Sequence, residues 1–194
     1  MKKPFIWKAL FSQSGSEIYE ISKNLGRFPD AIITNKSPEN LEKINPSLLE
    51  EAYDRFVFIP RIATPEEYKT SIGHANIVTL HGFLRILPPE ACFRYTIFNG
   101  HPGLITRYPE LKGKDPQKRA WDEYSTNTRP YHGHVIHKVV PEVDEGTIES
   151  TAYFKTNDLY TEYQTVENYI AQLHKIAIHN WVAFLKKKIL INNV

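Results

Sequence analysis

Short apolar runs alternate with polar, helix-like segments along the first half of the chain. The runs have the length and the flanking turn residues of buried strands. They occupy residues 5–11, 31–34, 56–59, 76–80 and 95–98, the last being the expected central strand. Alternating strands and helices are typical of a mostly parallel sheet with helices on both faces. The pattern therefore predicts an α/β, doubly wound fold.

Helix signals fill the spaces between these runs. The first helix is expected to follow the small polar loop at residues 12–17 and to end at Leu25, and residues 35–54 to form a loop with one short helix. Thr64-Pro65-Glu66-Glu67 combines an N-cap, a proline at the first helical position and a capping-box glutamate. These four residues therefore predict a helix start.

The second half of the chain has a different order of elements. A helix is expected at residues 116–123, and an antiparallel strand pair at 132–140 and 148–155. A long helix from about residue 160 to residue 185 closes the chain, because apolar side chains recur there at helical spacing. They are Val166, Ile170, Leu173, Ala177, Trp181 and Leu185. No repeat or linker interrupts the pattern, so we expect a single domain over residues 1–194.

Composition excludes several classes of protein. The hydrophobic content of 41%, the charged content of 24% and the net charge of +2 are ordinary for a globular domain and give no nucleic-acid signal. Cys92 is the only cysteine, so no intrachain disulfide can form. The sequence has no signal peptide and no apolar run of membrane-spanning length. We therefore expect a cytoplasmic protein without a membrane or nucleic-acid partner.

Three polar side chains follow predicted strands. Asn99 and His101 come directly after the run at 95–98, and Asp144 closes the run at 135–143. In sheets of this kind, ligands bind beyond the carboxyl ends of the strands. An amide, an imidazole and a carboxylate placed there can polarise a carbonyl, move a proton and orient the base. Acyl transfer to an amine needs those roles.

Three motifs carry a resemblance to a known family. They are Gly82-Phe83-Leu84-Arg85-Ile86-Leu87-Pro88, Asn99-Gly100-His101-Pro102 and the segment from His132-Gly133 through His137 to Asp144-Glu145-Gly146. By their order and separation the chain resembles the 10-formyltetrahydrofolate-dependent formyltransferases over most of its length. Within that family it is most similar to the phosphoribosylglycinamide formyltransferases.

The resemblance implies an activity and a role for each polar residue. A formyl group would pass from 10-formyltetrahydrofolate to the amine of a small molecule, with no metal. Asn99 would donate to the formyl oxygen as it becomes an oxyanion. His101 would stabilise that charge or move a proton from the amine, and Asp144 would orient the histidine or a water.

The resemblance also implies two binding regions. The folate slot would be walled by Phe83, Arg85, Ile86, Leu87, Val139, Val140 and Pro141. The apolar members of this set would equally serve as core residues. The acceptor would lie beside the first helix, whose N-terminus is a natural anion site, and near one aromatic side chain. The residues implied are Ser14, Gly15, Ser16, Glu17 and Tyr108.

Three departures from the phosphoribosylglycinamide formyltransferases are visible. Glu17 stands where they carry an asparagine, and Leu173 stands where they carry a glutamate of the last helix. Their Pro-x-Tyr-x-Gly after His-Pro is replaced by Thr106-Arg107-Tyr108-Pro109-Glu110. A carboxylate at position 17 would repel a phosphate, unless a capping box folds it back on Ser14. Both interpretations are open at this point. We therefore expect a different amine acceptor, a nucleotide or an amino sugar, with glycinamide ribonucleotide of purine synthesis as the alternative.

Four other functions compete with formyl transfer. A metallohydrolase would use His132, His134 and His137, but the first two share one face of a strand and the third lies on the other. A 10-formyltetrahydrofolate hydrolase would usually carry an N-terminal regulatory domain, and a methionyl-tRNA formyltransferase a C-terminal nucleic-acid-binding barrel; we expect neither domain here. A folate-binding protein without catalysis would lack one of the three polar residues. The expected partners are folate and a small amine, with the protein a monomer or a homodimer.

Overall fold

A computed structural model describes residues 4–125, 130–155 and 165–192. The strands are β1 Trp7–Phe11, β2 Ala31–Thr34, β3 Phe56–Phe58, β4 Ile77–Leu80, β5 Ile97–His101, β6 Tyr131–Lys138 and β7 Ile148–Lys155. They form one seven-stranded sheet in the order β3-β2-β1-β4-β5-β6-β7. The first five strands pair in parallel, while β6 runs antiparallel to β5, and β7 antiparallel to β6. The mostly parallel sheet and the antiparallel pair are confirmed.

Six α-helices connect or cover the described strands. They are α1 Ser16–Leu25, α2 Pro46–Ala52, α3 Pro65–Ile72, α4 Pro89–Arg94, α5 Pro116–Ser125 and α6 Val166–Asn192. The sequence pattern missed α4 and ended the last helix too early. The predicted start of that helix, at residues 160–164, lies outside the described residues. None of the described helices has the length and apolar character needed to span a membrane.

The capping box predicted at the start of α3 is present. The Glu67 backbone N–H donates to Thr64 Oγ1 at 3.3 Å, and the Thr64 N–H donates to Glu67 Oε2 at 2.7 Å. These reciprocal bonds satisfy two donors that a helix start leaves without partners. Pro65 fills the first helical position, where its missing N–H has no cost.

Helices cover both faces of the sheet, which confirms the doubly wound fold. On one face, Trp7 and Phe11 of β1 pack with α1, α2 and with Trp181 of α6. On the other face, Leu10 of β1 packs with Tyr68 of α3 and with the buried Cys92 of α4. A third apolar cluster joins α5 and α6 to the antiparallel pair. Burial of both faces explains why the parallel strands are mostly apolar instead of alternating between apolar and polar residues.

Strand β5 differs from its prediction in both place and length. It covers Ile97–His101 instead of 95–98, and the middle of the sheet is β4, with β5 beside it. Asn99 and His101 therefore lie within the strand, because the antiparallel partner β6 continues the backbone pairing past Leu80↔Asn99, the last parallel pair with β4. Alternate residues of a strand share a face. Asn99 and His101 consequently point to the same side of the sheet.

Candidate active site

Asn99, His101 and Asp144 meet around the carboxyl end of β5. Asp144 Oδ2 lies 3.3 Å from His101 Nδ1, and Asp144 Oδ1 lies 3.2 Å from His137 Nε2. Asn99 Nδ2 lies 3.2 Å from the same His137 nitrogen. The structure thus brings together the three residues predicted from sequence. The His137 ring lies between Asn99 and Asp144.

Asp144 is the anionic centre of this group. Its backbone has a φ of 56°, and its side chain is 9% exposed. The Gly113 backbone N–H donates to Asp144 Oδ2 at 2.9 Å. Burial acts to raise the pKa of Asp144, but the hydrogen bonds from His101, His137 and Gly113 outweigh it and hold that pKa well below its usual range. Asp144 is therefore a carboxylate at neutral pH.

His101 has an oxygen acceptor at each ring nitrogen. Its Nε2 lies 2.9 Å from the Leu111 carbonyl oxygen, while Nδ1 faces Asp144. A carbonyl oxygen only accepts, so Nε2 carries a hydrogen. The two contacts hold the ring between the Leu111 carbonyl oxygen and the Asp144 carboxylate.

His137 has the same arrangement on the neighbouring strand. Its Nδ1 lies 3.0 Å from the Lys138 carbonyl oxygen, and its Nε2 faces Asp144. One hydrogen on Nε2 serves the ionised Asp144, so the Asn99 amide hydrogens remain available to another acceptor. Sequence analysis did not assign His137 to the catalytic group. His137 could have been identified only from its pairing with Asn99 across β5 and β6, and that pairing is known only once the register of the two strands is known.

The predicted folate residues divide into two sets. Phe83 and Leu87 are buried in the apolar cluster beneath α3 and α4, so their side chains are core, as the alternative interpretation had it. Arg85 is exposed, and the apolar side chain of Ile86 is 76% exposed. Val139 packs against the same cluster as Phe83 and Leu87, and Val140 and Pro141 follow it on the half-exposed loop leading to Asp144.

The predicted acceptor loop begins α1 but does not form the capping box with Ser14. Gly15 precedes α1 with a φ of +75°, and an added Cβ would approach Leu48 to 2.7 Å, so only glycine suits this position. Ser14 Oγ contacts Ser16 Oγ at 2.9 Å, and the helix start has no side-chain cap. The carboxylate of Glu17 turns away from Ser14 because it binds a buried histidine instead.

That histidine is His81, at the end of β4, which sequence analysis did not single out. Glu17 Oε1 lies 2.7 Å from His81 Nδ1, and the His81 side chain is fully buried. His81 Nε2 contacts Thr79 Oγ1, which accepts a hydrogen bond from Trp7 Nε1. Burial acts to raise the pKa of Glu17, but the bond to His81 outweighs it, and the net pKa is lowered. An ionised carboxylate therefore stands in the first turn of α1.

Two residues considered for the acceptor region pack with one apolar cluster. Tyr108 lies on the loop after β5 and packs against the cluster that contains Leu104 and Leu111. Leu173 is 1% exposed in the same cluster, where it fills space between α6 and the sheet. The side chain at 173 thus contributes packing and no hydrogen bond. Apolar spacing on α6 had indicated that role for Leu173.

The three histidines of β6 divide between the two faces, as the strand period predicts. His132 Nδ1 lies 2.8 Å from the Tyr169 hydroxyl of α6, and His134 Nδ1 lies 3.1 Å from Asn180 Nδ2 of the same helix. His137 faces Asp144 on the other side. Across residues 4–125, 130–155 and 165–192, no three His, Cys, Asp or Glu side chains are arranged to hold a metal ion.

Comparison with known proteins establishes the family. The model of the formyl transferase family matches residues 31–182, which is most of the chain. The chain therefore belongs to the formyl transferase family. A phosphoribosylglycinamide formyltransferase from Dictyostelium discoideum is 29% identical over 112 residues, which cover 54% of this chain and 53% of that protein. The matched segment thus spans about half the length of that curated relative.

Solved structures show the same fold. A phosphoribosylglycinamide formyltransferase from Anaplasma phagocytophilum superposes with a TM-score of 0.77 at 22% identity, covering 98% of this chain and 88% of that one. A formyltetrahydrofolate deformylase from Pseudomonas syringae superposes with a TM-score of 0.74 at 19% identity, covering 94% of this chain and 60% of that one. These likenesses confirm the fold expected from the sequence.

Proposed function

We propose that this member of the formyl transferase family moves a formyl group from 10-formyltetrahydrofolate to the amine of a small-molecule acceptor. The observation that carries the proposal is the group of Asn99, His101 and Asp144 at the carboxyl end of β5, with the His137 ring between Asn99 and Asp144. Ligands of open α/β sheets bind at this edge. The amine is the nucleophile, so the site needs an oxyanion donor and control of protons, which these side chains can supply.

Asn99 is the oxyanion donor in this mechanism. The amine attacks the formyl carbon and forms the new C–N bond, while the carbonyl electron pair moves to oxygen. An Asn99 amide hydrogen donates to that oxygen, because His137 gives its own hydrogen to Asp144. Collapse of the adduct breaks the bond from carbon to the folate nitrogen. The amine loses one proton, and the leaving nitrogen takes one.

The two imidazoles and Asp144 set the hydrogen bonding beside Asn99. Asp144 faces one nitrogen of His101 and one of His137, and the second nitrogen of each ring faces a carbonyl oxygen. These contacts fix both rings beside Asn99, and the low exposure of the group strengthens the interaction of its donors with a developing oxyanion.

An exposed apolar side chain in the segment 82–88 supports binding of the folate. Ile86 is exposed although apolar, and it follows Phe83, whose cluster also holds Val139 of the loop leading to Asp144. An apolar wall with a few polar groups beside it is typical of a small-molecule site. Arg85, Ile86, Val140 and Pro141 are therefore the residues we assign to the pterin. Phe83 and Leu87 support them from the core.

The surroundings of α1 favour an acceptor other than glycinamide ribonucleotide. A phosphate at this helix start would meet the ionised Glu17 carboxylate, which His81 holds in place. Two like charges about 4 Å apart repel by about 1 kcal/mol even in water. Leu173 offers no hydrogen bond to a ribose hydroxyl. The acceptor we propose is a nucleotide or an amino sugar that places no phosphate beside Glu17.

Two enzymatic alternatives have specific support. The phosphoribosylglycinamide formyltransferases among the similar proteins favour glycinamide ribonucleotide as the acceptor. The formyltetrahydrofolate deformylase with the same fold favours water as the acceptor. A folate-binding protein without catalysis is less supported, since all three polar residues are in place. The single domain, the cytoplasmic location and the monomeric or dimeric state stay predictions.

A panel of acceptors tests the proposal. Formyl transfer from 10-formyltetrahydrofolate would be measured with glycinamide ribonucleotide, with nucleotide-linked and free amino sugars, and with water alone. We expect an amino sugar or amino nucleotide to exceed glycinamide ribonucleotide in kcat/KM by at least about tenfold. A kcat/KM of about 10⁴ M⁻¹s⁻¹ or more with glycinamide ribonucleotide would instead identify that compound as the acceptor. Formate release that no amine accelerates would indicate the hydrolase.

A further inference from the structure

The loop between β5 and α5 supplies two backbone groups to the active site. The Leu111 carbonyl oxygen accepts from His101 Nε2 at 2.9 Å, and the Gly113 N–H donates to Asp144 Oδ2 at 2.9 Å. These bonds fix the ring of His101 and one oxygen of Asp144. Gly113 is exposed and has a φ of +82°, so the loop is held by few apolar contacts at this point. Leu111 is buried in the apolar cluster with Leu104, but the exposed Gly113 needs a polar constraint.

Arg119, on α5, provides that constraint. Its Nη2 lies 3.1 Å from the Leu111 carbonyl oxygen, 2.9 Å from that of Lys112 and 2.9 Å from that of Lys114. Its Nη1 donates to the Glu110 carbonyl oxygen. Nη2 has two hydrogens for three carbonyls, so at least one of them is shared. One guanidinium thus gathers four carbonyl oxygens from five consecutive residues of the loop.

One atom links the Arg119 guanidinium and its carbonyl acceptors to the catalytic group. The Leu111 carbonyl oxygen has two lone pairs, of which His101 Nε2 takes one and Arg119 Nη2 the other. Moving the guanidinium therefore moves the acceptor that fixes the His101 ring. The exposed ion pair of Lys112 with Glu145, at 2.8 Å, also joins the loop to the segment after Asp144. Ion pairs of that exposure contribute little.

We propose that Arg119 is a positioning residue of the active site, which holds the loop 110–114 so that Leu111 and Gly113 orient His101 and Asp144. The effect on catalysis rests on the proposed formyl transfer, whereas the effect on the His101 ring does not. Arginine suits this role because its planar fork presents five donors, while lysine has three on one flexible nitrogen. Displacement of a catalytic group by about 1 Å can cost on the order of 10² in rate.

The test compares Arg119→Met and Arg119→Lys with Arg55→Met. Arg55 is the matched control, because its Nη1 donates to the Pro29 carbonyl oxygen at 3.0 Å, away from this site. The first readout is the ¹⁵N spectrum of the imidazoles without any substrate. We expect a protonated His101 Nε2 in the wild type and in Arg55→Met, and averaged ring signals for His101 in Arg119→Met.

The second readout is formyl transfer with the fastest amine of the acceptor panel. Arg119→Met should lose at least tenfold in kcat with less than a threefold change in KM for 10-formyltetrahydrofolate, and Arg119→Lys should lose less. A folded Arg119→Met with wild-type ring signals and kcat would overturn the proposal. If Arg119→Met does not fold, the test rests on Arg119→Lys. A wild-type kcat and wild-type His101 ring signals in Arg119→Lys would also overturn the proposal. Altered ring signals in a protein that formylates no amine would support the positioning role and refute the proposed function alone.

Discussion

Asn99 and His137 occupy directly paired positions on β5 and β6, and their side-chain nitrogens lie 3.2 Å apart. The pairing places an imidazole between the proposed oxyanion donor and Asp144. The register of β6 against β7 shifts between Ile136 and His137, and such irregularities re-aim side chains near sites. The orientation of Asn99 therefore depends on His137.

We predict that His137→Ala reduces kcat by about 10², because Asn99 loses its fixed neighbour and Asp144 loses one of its two imidazoles. Steady-state formyl transfer measures the effect, and the far-ultraviolet circular dichroism spectrum checks folding. His174→Ala is the control, since His174 contacts Glu20 at the surface of α1. Equal activities of these two variants would show that His137 has no part in the reaction.

The fold could be predicted from the sequence because its signals are local. Apolar runs marked each parallel strand, and the four residues from Thr64 to Glu67 marked a helix start with its capping bonds. Helix α4 was missed because it is a six-residue element beginning at Pro89, too short for a periodic pattern. The extension of β5 to His101 depends on pairing with β6, which no local signal shows.

The candidate site could be predicted only in part, for a related reason. Asn99, His101 and Asp144 follow apolar runs, so their placement at the sheet edge follows from chain order. The partners of these residues are distant in sequence. His81 lies 64 residues from Glu17, and His137 lies 38 residues from Asn99. A capping box for Glu17 was a sound local expectation, but the buried imidazole of His81 forms the stronger, charge-assisted bond.

Asp144 gives the protein a pH-dependent component of stability. Its pKa in the folded state is lowered below the unfolded value of about 3.9. Its contribution is therefore fully present above that value, and it is lost as the pH falls toward the folded pKa. We predict that Asp144→Asn lowers the free energy of unfolding by about 3 kcal/mol at pH 7. The difference in free energy of unfolding between the wild type and Asp144→Asn should become smaller below about pH 4.

Urea denaturation between pH 7 and pH 3 measures this difference. Asp54→Asn serves as the comparison, since Asp54 is exposed in the short turn after α2 and should change stability by little at any pH. A gap between the wild type and Asp144→Asn that stays constant down to pH 3 would contradict the assignment of Asp144 as a buried, paired carboxylate.

Glu17 should control how α1 interacts with phosphate. Removing its charge in Glu17→Gln takes away repulsion of about 1 kcal/mol, so inorganic phosphate should bind about fivefold more tightly. Glu20→Gln is the matched control, because Glu20 lies one turn further along α1 beside His174. Isothermal titration with inorganic phosphate measures both variants. An equal increase in phosphate affinity in Glu17→Gln and Glu20→Gln would argue against Glu17 as the residue that excludes phosphate. Tight binding of phosphate by the wild type would argue against it as well.

The rate of formyl transfer by Asn99→Ala tests the central claim most directly. Single-turnover reactions would use 10-formyltetrahydrofolate and the fastest amine of the panel, with Asn24→Ala as the control because the Asn24 side chain donates to the Glu20 carbonyl oxygen on the surface of α1. Loss of one oxyanion donor costs about 10²–10³ in rate. The account predicts a loss of that size in Asn99→Ala with the affinity for a folate analogue unchanged, and a wild-type rate in that variant would contradict it.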